Sequence, residues 1–308
     1  MNSSWSDKVA YLVQGRSELV QEEFRYIEFG PNVIILTWDF KIPEDAFPVG
    51  VTKIFFPNST WAEGRNKLLE LAASKYRDVE YFVFLDDDIE FTKSSLNEFE
   101  RLILEFQPKI AVPLCDRIVR EMSFSQRSLE RPIRHDQILM AFHRSVLEDK
   151  IALPIDTQFD EISWWLTAEM NHYLIQKFYF DGMLSFNDVV IRNTNHGHEV
   201  TEPALIDKSL YRSRFTVAEL EAMKFYIRSK YGAQPATLDT IFQPKVFEKI
   251  RVANLNKLHI EHLFLMARQG KVSHFFKLLI KIASTYATNG VYRVIWPQKI
   301  FSARIKFL

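Results

Sequence analysis

The sequence predicts an α/β fold in which a largely parallel central sheet is covered by helices on both faces and a helical, basic C-terminal region follows. Three observations predict it. Short, nearly continuous apolar runs rich in β-branched and aromatic residues recur along the first half of the chain, as in strands buried on both sides. Segments of helical period with capping residues lie between them. With 47% of 308 residues apolar and 25% charged, the chain can build a sizeable core.

VAYLV (9–13) is the first strand run, and VIILTW (33–38), VTKIFF (51–56), YFVFL (81–85) and IAVPL (110–114) follow, each bounded by polar or turn residues. Between the third and fourth, Thr60 and Glu63 have capping-box spacing, and Leu68, Leu69, Ala72, Ala73 and Tyr76 form one apolar face. SSLNEFERLILEF predicts a second helix, after the fourth strand. An aromatic-rich pattern over 157–176 predicts a third, and VVIRN (189–193) a further strand. Thr216 and Glu219 start a helix that runs to Gly232, a residue suited to the C′ position. The irregular, Pro-containing stretch 233–248 marks a boundary, dividing the chain into a domain over 1–232 and a helical region over 233–308.

Composition excludes several classes. The 39 basic and 39 acidic side chains cancel, so the chain lacks the net basic surface of a general nucleic-acid binder. An aromatic content of 14% excludes intrinsic disorder. A single cysteine, Cys115, excludes an internal disulfide and a cysteine-based zinc site, which places the chain in a reducing compartment, the cytosol. The first residues show no secretory signal, and no run of about 18 apolar residues would span a bilayer. Charge is unevenly distributed. Residues 251–308 carry ten Lys/Arg and one acid, Glu261, leaving 29 basic and 38 acidic groups before them.

Asp86-Asp87-Asp88 directly follows YFVFL. Adjacent carboxylates repel, so their gathering calls for a positive partner. In open α/β sheets ligands sit beyond the carboxyl ends of strands, where this triplet falls. Oxygen ligands of this kind suit Mg²⁺ or Mn²⁺, held together with substrate phosphates.

GRNKLLELAASKYRDVEYFVFLDDDIEF resembles the central stretch of GT-A fold, nucleotide-sugar-dependent glycosyltransferases: Arg65-Asn66 opens a helix and a hydrophobic strand ends in a DxD motif. The resemblance implies a Rossmann-like sheet, a nucleotide-sugar donor (a UDP-sugar foremost) and a Mn²⁺ or Mg²⁺ ion bridging carboxylates and diphosphate. It makes Asp88 the direct metal ligand. Asp86 serves both metal and donor, with Asp87 beside it. Asp39 is set against the base, and Gln14, Gly15 and Arg16 line the nucleotide pocket. Arg65 is the candidate for a forked contact to the departing diphosphate.

Residues 138–165 resemble the family's next block, in which an acidic pair starts a helix. Asp160-Glu161 match it, ahead of Trp164 and Trp165. An inverting transfer needs a carboxylate to take the acceptor hydroxyl's proton, and a helix N-terminus would keep that carboxylate ionised; either residue satisfies the pattern. One of the two tryptophans is free to stack on an acceptor ring. The family's late histidine ligand corresponds to His196 or His198. In the tail, KVSHFFKLLIKIASTY (271–286) sets Val272, Phe275, Phe276, Leu279, Ile282, Ala283 and Tyr286 on one face and lysines on the other. That pattern predicts a helix lying on the cytoplasmic face of an anionic membrane, and a glycan or lipid-linked acceptor fits it.

Three rival readings compete with this one. A phosphatase-like hydrolase using Asp86 and Asp88 wants a Gly/Thr sequence after the motif, where Ile89-Glu90-Phe91 stands. A nucleotidyltransferase wants a Gly-rich loop after strand one, and Gln14-Gly15-Arg16-Ser17 does not supply it. A catalytically silent nucleotide-sugar-binding module would keep the fold without the reaction.

Overall fold

The computed structural model describes residues 5–24, 30–116, 128–130, 132, 135–194 and 216–231. His196, His198, Gly232 and the entire 233–308 region, including the 271–286 segment, lie outside the described residues. Among the described residues nine strands form one sheet: β1 (Val9–Gly15), β2 (Asn32–Thr37), β3 (Thr52–Phe55), β4 (Tyr81–Asp86), β5 (Ile89–Lys93), β6 (Ile110–Cys115), β7 (Leu129–Glu130), β8 (Leu139–His143) and β9 (Met183–Asn193). The helices are α1 (Ser17–Glu23), α2 (Trp61–Lys75), α3 (Leu96–Phe106), α4 (Arg144–Asp149), α5 (Trp164–Phe178) and α6 (Val217–Tyr231).

The strand order is β3-β2-β1-β4-β8-β6-β9-β5, with β7 on β9. The first four are parallel, whereas β8 runs antiparallel to both β4 and β6. The sheet is therefore mixed: a parallel Rossmann-like half joined to a half in which β6 and β9 run parallel to each other and β8 and β5 run against them. An apolar run shows that a strand is buried but not which way it points; direction follows from the connections. After β4 the Asp87-Asp88 turn reverses the chain into β5, which pairs antiparallel with β9 at the far edge.

Strand period sorts the core. Val9, Tyr11, Val13, Val33, Ile35, Tyr81 and Val83 face α1 and α3, where Val20, Phe99 and Ile103 meet them. Ala10, Leu12, Ile34, Leu36, Phe82 and Phe84 face α2, α5 and α6 through Leu68, Ala72, Leu166, Met170, Leu174, Met223 and Ile227. Both faces are covered, which is why the strands read as unbroken apolar runs.

The predicted capping boxes are present. Thr60 Oγ1 accepts from Glu63 N while Glu63 accepts from Thr60 N, and Thr216 and Glu219 do the same ahead of α6. The third helix starts later than its periodicity predicts, at Trp164 with Ser163 as N-cap. Asp156 is the physical reason. Its Oδ1 accepts from Gln158 N at 3.1 Å. Its Oδ2 takes Tyr226 OH at 2.7 Å and Lys230 Nζ at 2.6 Å. One local bond and two from α6 thus hold Asp156 outside the helix, and Asp160 and Glu161 precede the helix instead of opening it.

Candidate active site

The carboxyl ends of β1, β2 and β4 meet at one edge of the sheet. Gln14 is in register with Asp86, and Gly15 with Thr37, so the acidic triplet lies beside the β1–α1 turn. Asp87 folds over that turn. Its Oδ2 accepts from Arg16 N at 2.7 Å, and Arg16 Nε lies 3.6 Å away. The approach needs glycine: a Cβ on Gly15 would stand 2.1 Å from Asp87 Cβ.

Asp86 points the other way, into a buried pair. Arg65 Nη2 lies 2.6 Å from its Oδ1 and also donates to Gln137 O at 2.7 Å. The guanidinium stacks on Trp61, 4.4 Å from the ring centroid, and the nearby Trp61 indole helps to pull the Asp86 carboxyl down. Arg65 is 2% exposed. One turn along α2 from Trp61, its guanidinium is drawn inward by Asp86. Asn66, its neighbour, clamps the backbone of Ile155 through both amide atoms.

Asp88 has a different environment. Its carbonyl accepts from Thr194 N at 2.9 Å, which brings the end of β9, two residues before His196, to the acidic triplet. Its carboxyl Oδ1 is buried with no hydrogen-bond partner among the described residues. Burial pushes Asp88 up to about 8, and the charges of Asp86, Asp87 and Asp136 push the same way. Asp87 is pushed up to about 6, again by burial, with the Arg16 backbone N–H pulling back. Burial also raises Asp86, partly offset by Arg65.

These shifts carry a sign. Over the window between the ordinary carboxylate value of 3.8 and about 8, the folded protein holds protons that the unfolded chain releases. Stability of the metal-free protein is therefore expected to fall as pH rises through that window. Thermal melts at steps across it check the point; a flat profile would mean that Asp87 and Asp88 are solvated.

The donor set fits a cation in part. An orphaned, buried carboxylate oxygen amid three other carboxylates is a place for positive charge. Among the described residues, however, no three His, Cys, Asp or Glu side chains converge as a metal cage, so Asp88 would need ligand oxygens from outside the described residues.

The remaining predicted residues are placed as follows. Asp39 accepts from Ser17 N at 2.8 Å and from Phe40 N at 2.7 Å, tying the β1–α1 turn to the end of β2. Both bonds are to its own chain, so Asp39 shapes the rim where Phe40 stands 64% exposed. Gln14 is buried with its amide against Gly64, where a Cβ would lie 2.4 Å from Nε2. Asp160 is 5% exposed and accepts from Thr60 Oγ1, the α2 N-cap. Burial raises its carboxyl, with Thr167 and Thr60 pulling it down. Glu161 is exposed. Trp164 and Trp165 are half-buried and meet edge to face, centroids 5.1 Å apart.

Two contributors escape a sequence reading. Trp61 had a signal, its i,i+4 spacing to Arg65. Asp136, whose charge bears on Asp86 and Asp88, had none, because only the β8 crossover brings it to this edge.

Fold and site together define an α/β protein with a cluster of carboxylates at the carboxyl ends of its parallel strands. No family model matches the chain, and no curated protein matches it in sequence. Solved structures similar to it include S. aureus TarS residues 1–349, at 13% identity over 61% of this chain and 60% of that one, with a TM-score of 0.43. Others are GalNAc-T7 with UDP, GalNAc and Mn²⁺ (11% identity, 71% and 48% covered, TM-score 0.39) and CMP:2-keto-3-deoxy-manno-octonic acid synthetase with CTP (14%, 61% and 91%, TM-score 0.37). The matched stretch spans less than two thirds of the TarS and GalNAc-T7 chains, and the fold class rests on this chain's own strand order.

Proposed function

We propose that this chain is a metal-dependent glycosyltransferase, moving a sugar from a nucleotide-sugar donor to a glycan or lipid-linked acceptor with inversion. The observation that carries the reading is the buried, partnerless Asp88 oxygen at the carboxyl edge of β4, beside the Gly15–Arg16 turn. Asp88 would hold the cation. Bound Mn²⁺ or Mg²⁺ supplies Lewis-acid stabilisation of the leaving diphosphate. Asp86 and Asp87, fixed by Arg65 and Arg16, shape the cleft around it. Phe40, on a backbone pinned by Asp39, offers a face to the base. Asp160, raised by burial and set against the N-terminus of α2, is the proton acceptor for the incoming hydroxyl. Trp164 or Trp165 supplies the platform for the acceptor sugar. His196, His198 and the basic 271–286 segment belong to the same proposal as further metal ligands and as the contact with an anionic membrane.

A silent nucleotide-sugar-binding module is favoured by one observation, that Asp39 and Asp86 are engaged within the chain. A thermal-shift panel of UDP-, GDP-, dTDP- and CMP-sugars, with and without Mn²⁺, tests both. One nucleotide is expected to raise the melting temperature by about 5 °C at about 100 times its Kd, only with metal, and Asp88→Ala should remove the rise. Asp160→Asn should keep that rise and lose about 10²–10⁴ in transfer. Binding without transfer in the unmodified chain supports the silent module; no shift with any nucleotide overturns the proposal.

A further inference from the structure

Helix α5 buries Thr167, Asn171, Leu174 and Phe178 at i, i+4, i+7 and i+11, the centre of its inward stripe. Thr167 is 0% and Asn171 2% exposed. Polar side chains at such positions need partners, yet Thr167 Oγ1 and Asn171 Oδ1 have no hydrogen bond among the described residues. They are not isolated cases. Gln137 Oε1, His135 Nε2, Arg65 Nε and Asp160 Oδ1 are likewise buried and partnerless.

These groups belong to segments that touch one another. Thr167 lies close enough to Asp160 to favour its ionised form. Gln137 Nε2 donates to Ala168 O at 2.7 Å, and Gln137 O accepts from Arg65. His135 stacks on His172, the residue after Asn171, with centroids 4.3 Å apart.

We infer that the seam between α5 and residues 135–137 is a built site for a row of bound water molecules that ends at Asp160. The mixture of atoms selects the ligand. Arg65 Nε is a donor. So is His135 Nε2, because Gln176 Nε2 faces Nδ1 at 3.4 Å and leaves the ring proton on the other nitrogen. Asn171 Oδ1, Gln137 Oε1 and Asp160 Oδ1 are acceptors, and Thr167 is both. A cation would satisfy only the acceptors and an anion only the donors; water satisfies both. Leaving so many buried groups dry would outweigh the margin by which a domain is stable. Where Asp160 takes a proton from an acceptor, the row gives it an exit; that consequence alone rests on the function proposed above.

A crystal structure of the full chain without ligands, at a resolution that shows ordered water, is the direct test. Waters bonded to two or more of the six atoms are expected. Side chains turned to pair with one another, an empty seam, or density for another molecule would overturn the inference. A second measurement reads a sign. In a hydrated seam, Thr167→Val with Asn171→Leu strips partners from the water, and the melting temperature should fall by about 2–4 °C or more. In a dry seam the same apolar replacements remove orphaned groups and raise it, which would also overturn the inference. Neither measurement involves nucleotide or sugar, so its failure is separate from failure of the glycosyltransferase reading.

Discussion

Gly15→Ala is expected to cost about 3 kcal/mol, the upper end for overpacking, and to abolish the proposed nucleotide binding. The added methyl would stand 2.1 Å from Asp87 Cβ and 2.5 Å from its Cγ. Neither Cβ can rotate away, because each is fixed by its own backbone, so β1 and the β4–β5 turn must separate. That movement breaks the Arg16–Asp87 bond and shifts Asp88 with it. The clash also predicts its own remedy. Asp87→Gly in the same chain removes the opposing Cβ and should recover a good part of the stability, giving a strongly non-additive pair. Urea melts of the two single variants and the double variant measure this. Additive losses would mean that Gly15 and Asp87 do not touch.

Arg65→Met is expected to cost about 3–5 kcal/mol, as when one partner of a buried ion pair is removed. Asp86 would keep its buried carboxylate without the guanidinium 2.6 Å away. The raised Asp86 carboxyl already shows that burial outweighs the pairing; without Arg65 nothing opposes it but the Trp61 indole. Met keeps much of the stem volume against Trp61 and Phe84, so the loss reports charge rather than a cavity. Adding Asp86→Asn should restore stability, because an amide is cheaper to bury than a lone charge. A loss below about 1 kcal/mol for Arg65→Met would place the pair in solvent, where ion pairs contribute that little.

The strands were legible because both faces of the sheet are buried. VAYLV and YFVFL admit no polar residue, and adjacent positions serve opposite cores. Capping at Thr60 and Thr216 was legible because it is local, made within four residues of chain. The late start of α5 was not, because Asp156 draws donors from α6, about seventy residues on. β8 was not predicted as a strand, and its antiparallel course was hidden for a similar reason: an apolar run has the same periodicity in either direction.

At the carboxylate cluster the division is sharper. From sequence alone come the carboxylates at the end of an apolar strand, the helix that carries Arg65, and the polar turn after β1. Only tertiary structure decides which group each carboxylate meets: Arg65 for Asp86, the Arg16 backbone for Asp87, no hydrogen bond among the described residues for the buried Asp88 oxygen. Residue type and spacing determine what a side chain can do and which face it occupies. Burial and distance, set by segments far apart in the chain, determine what it does.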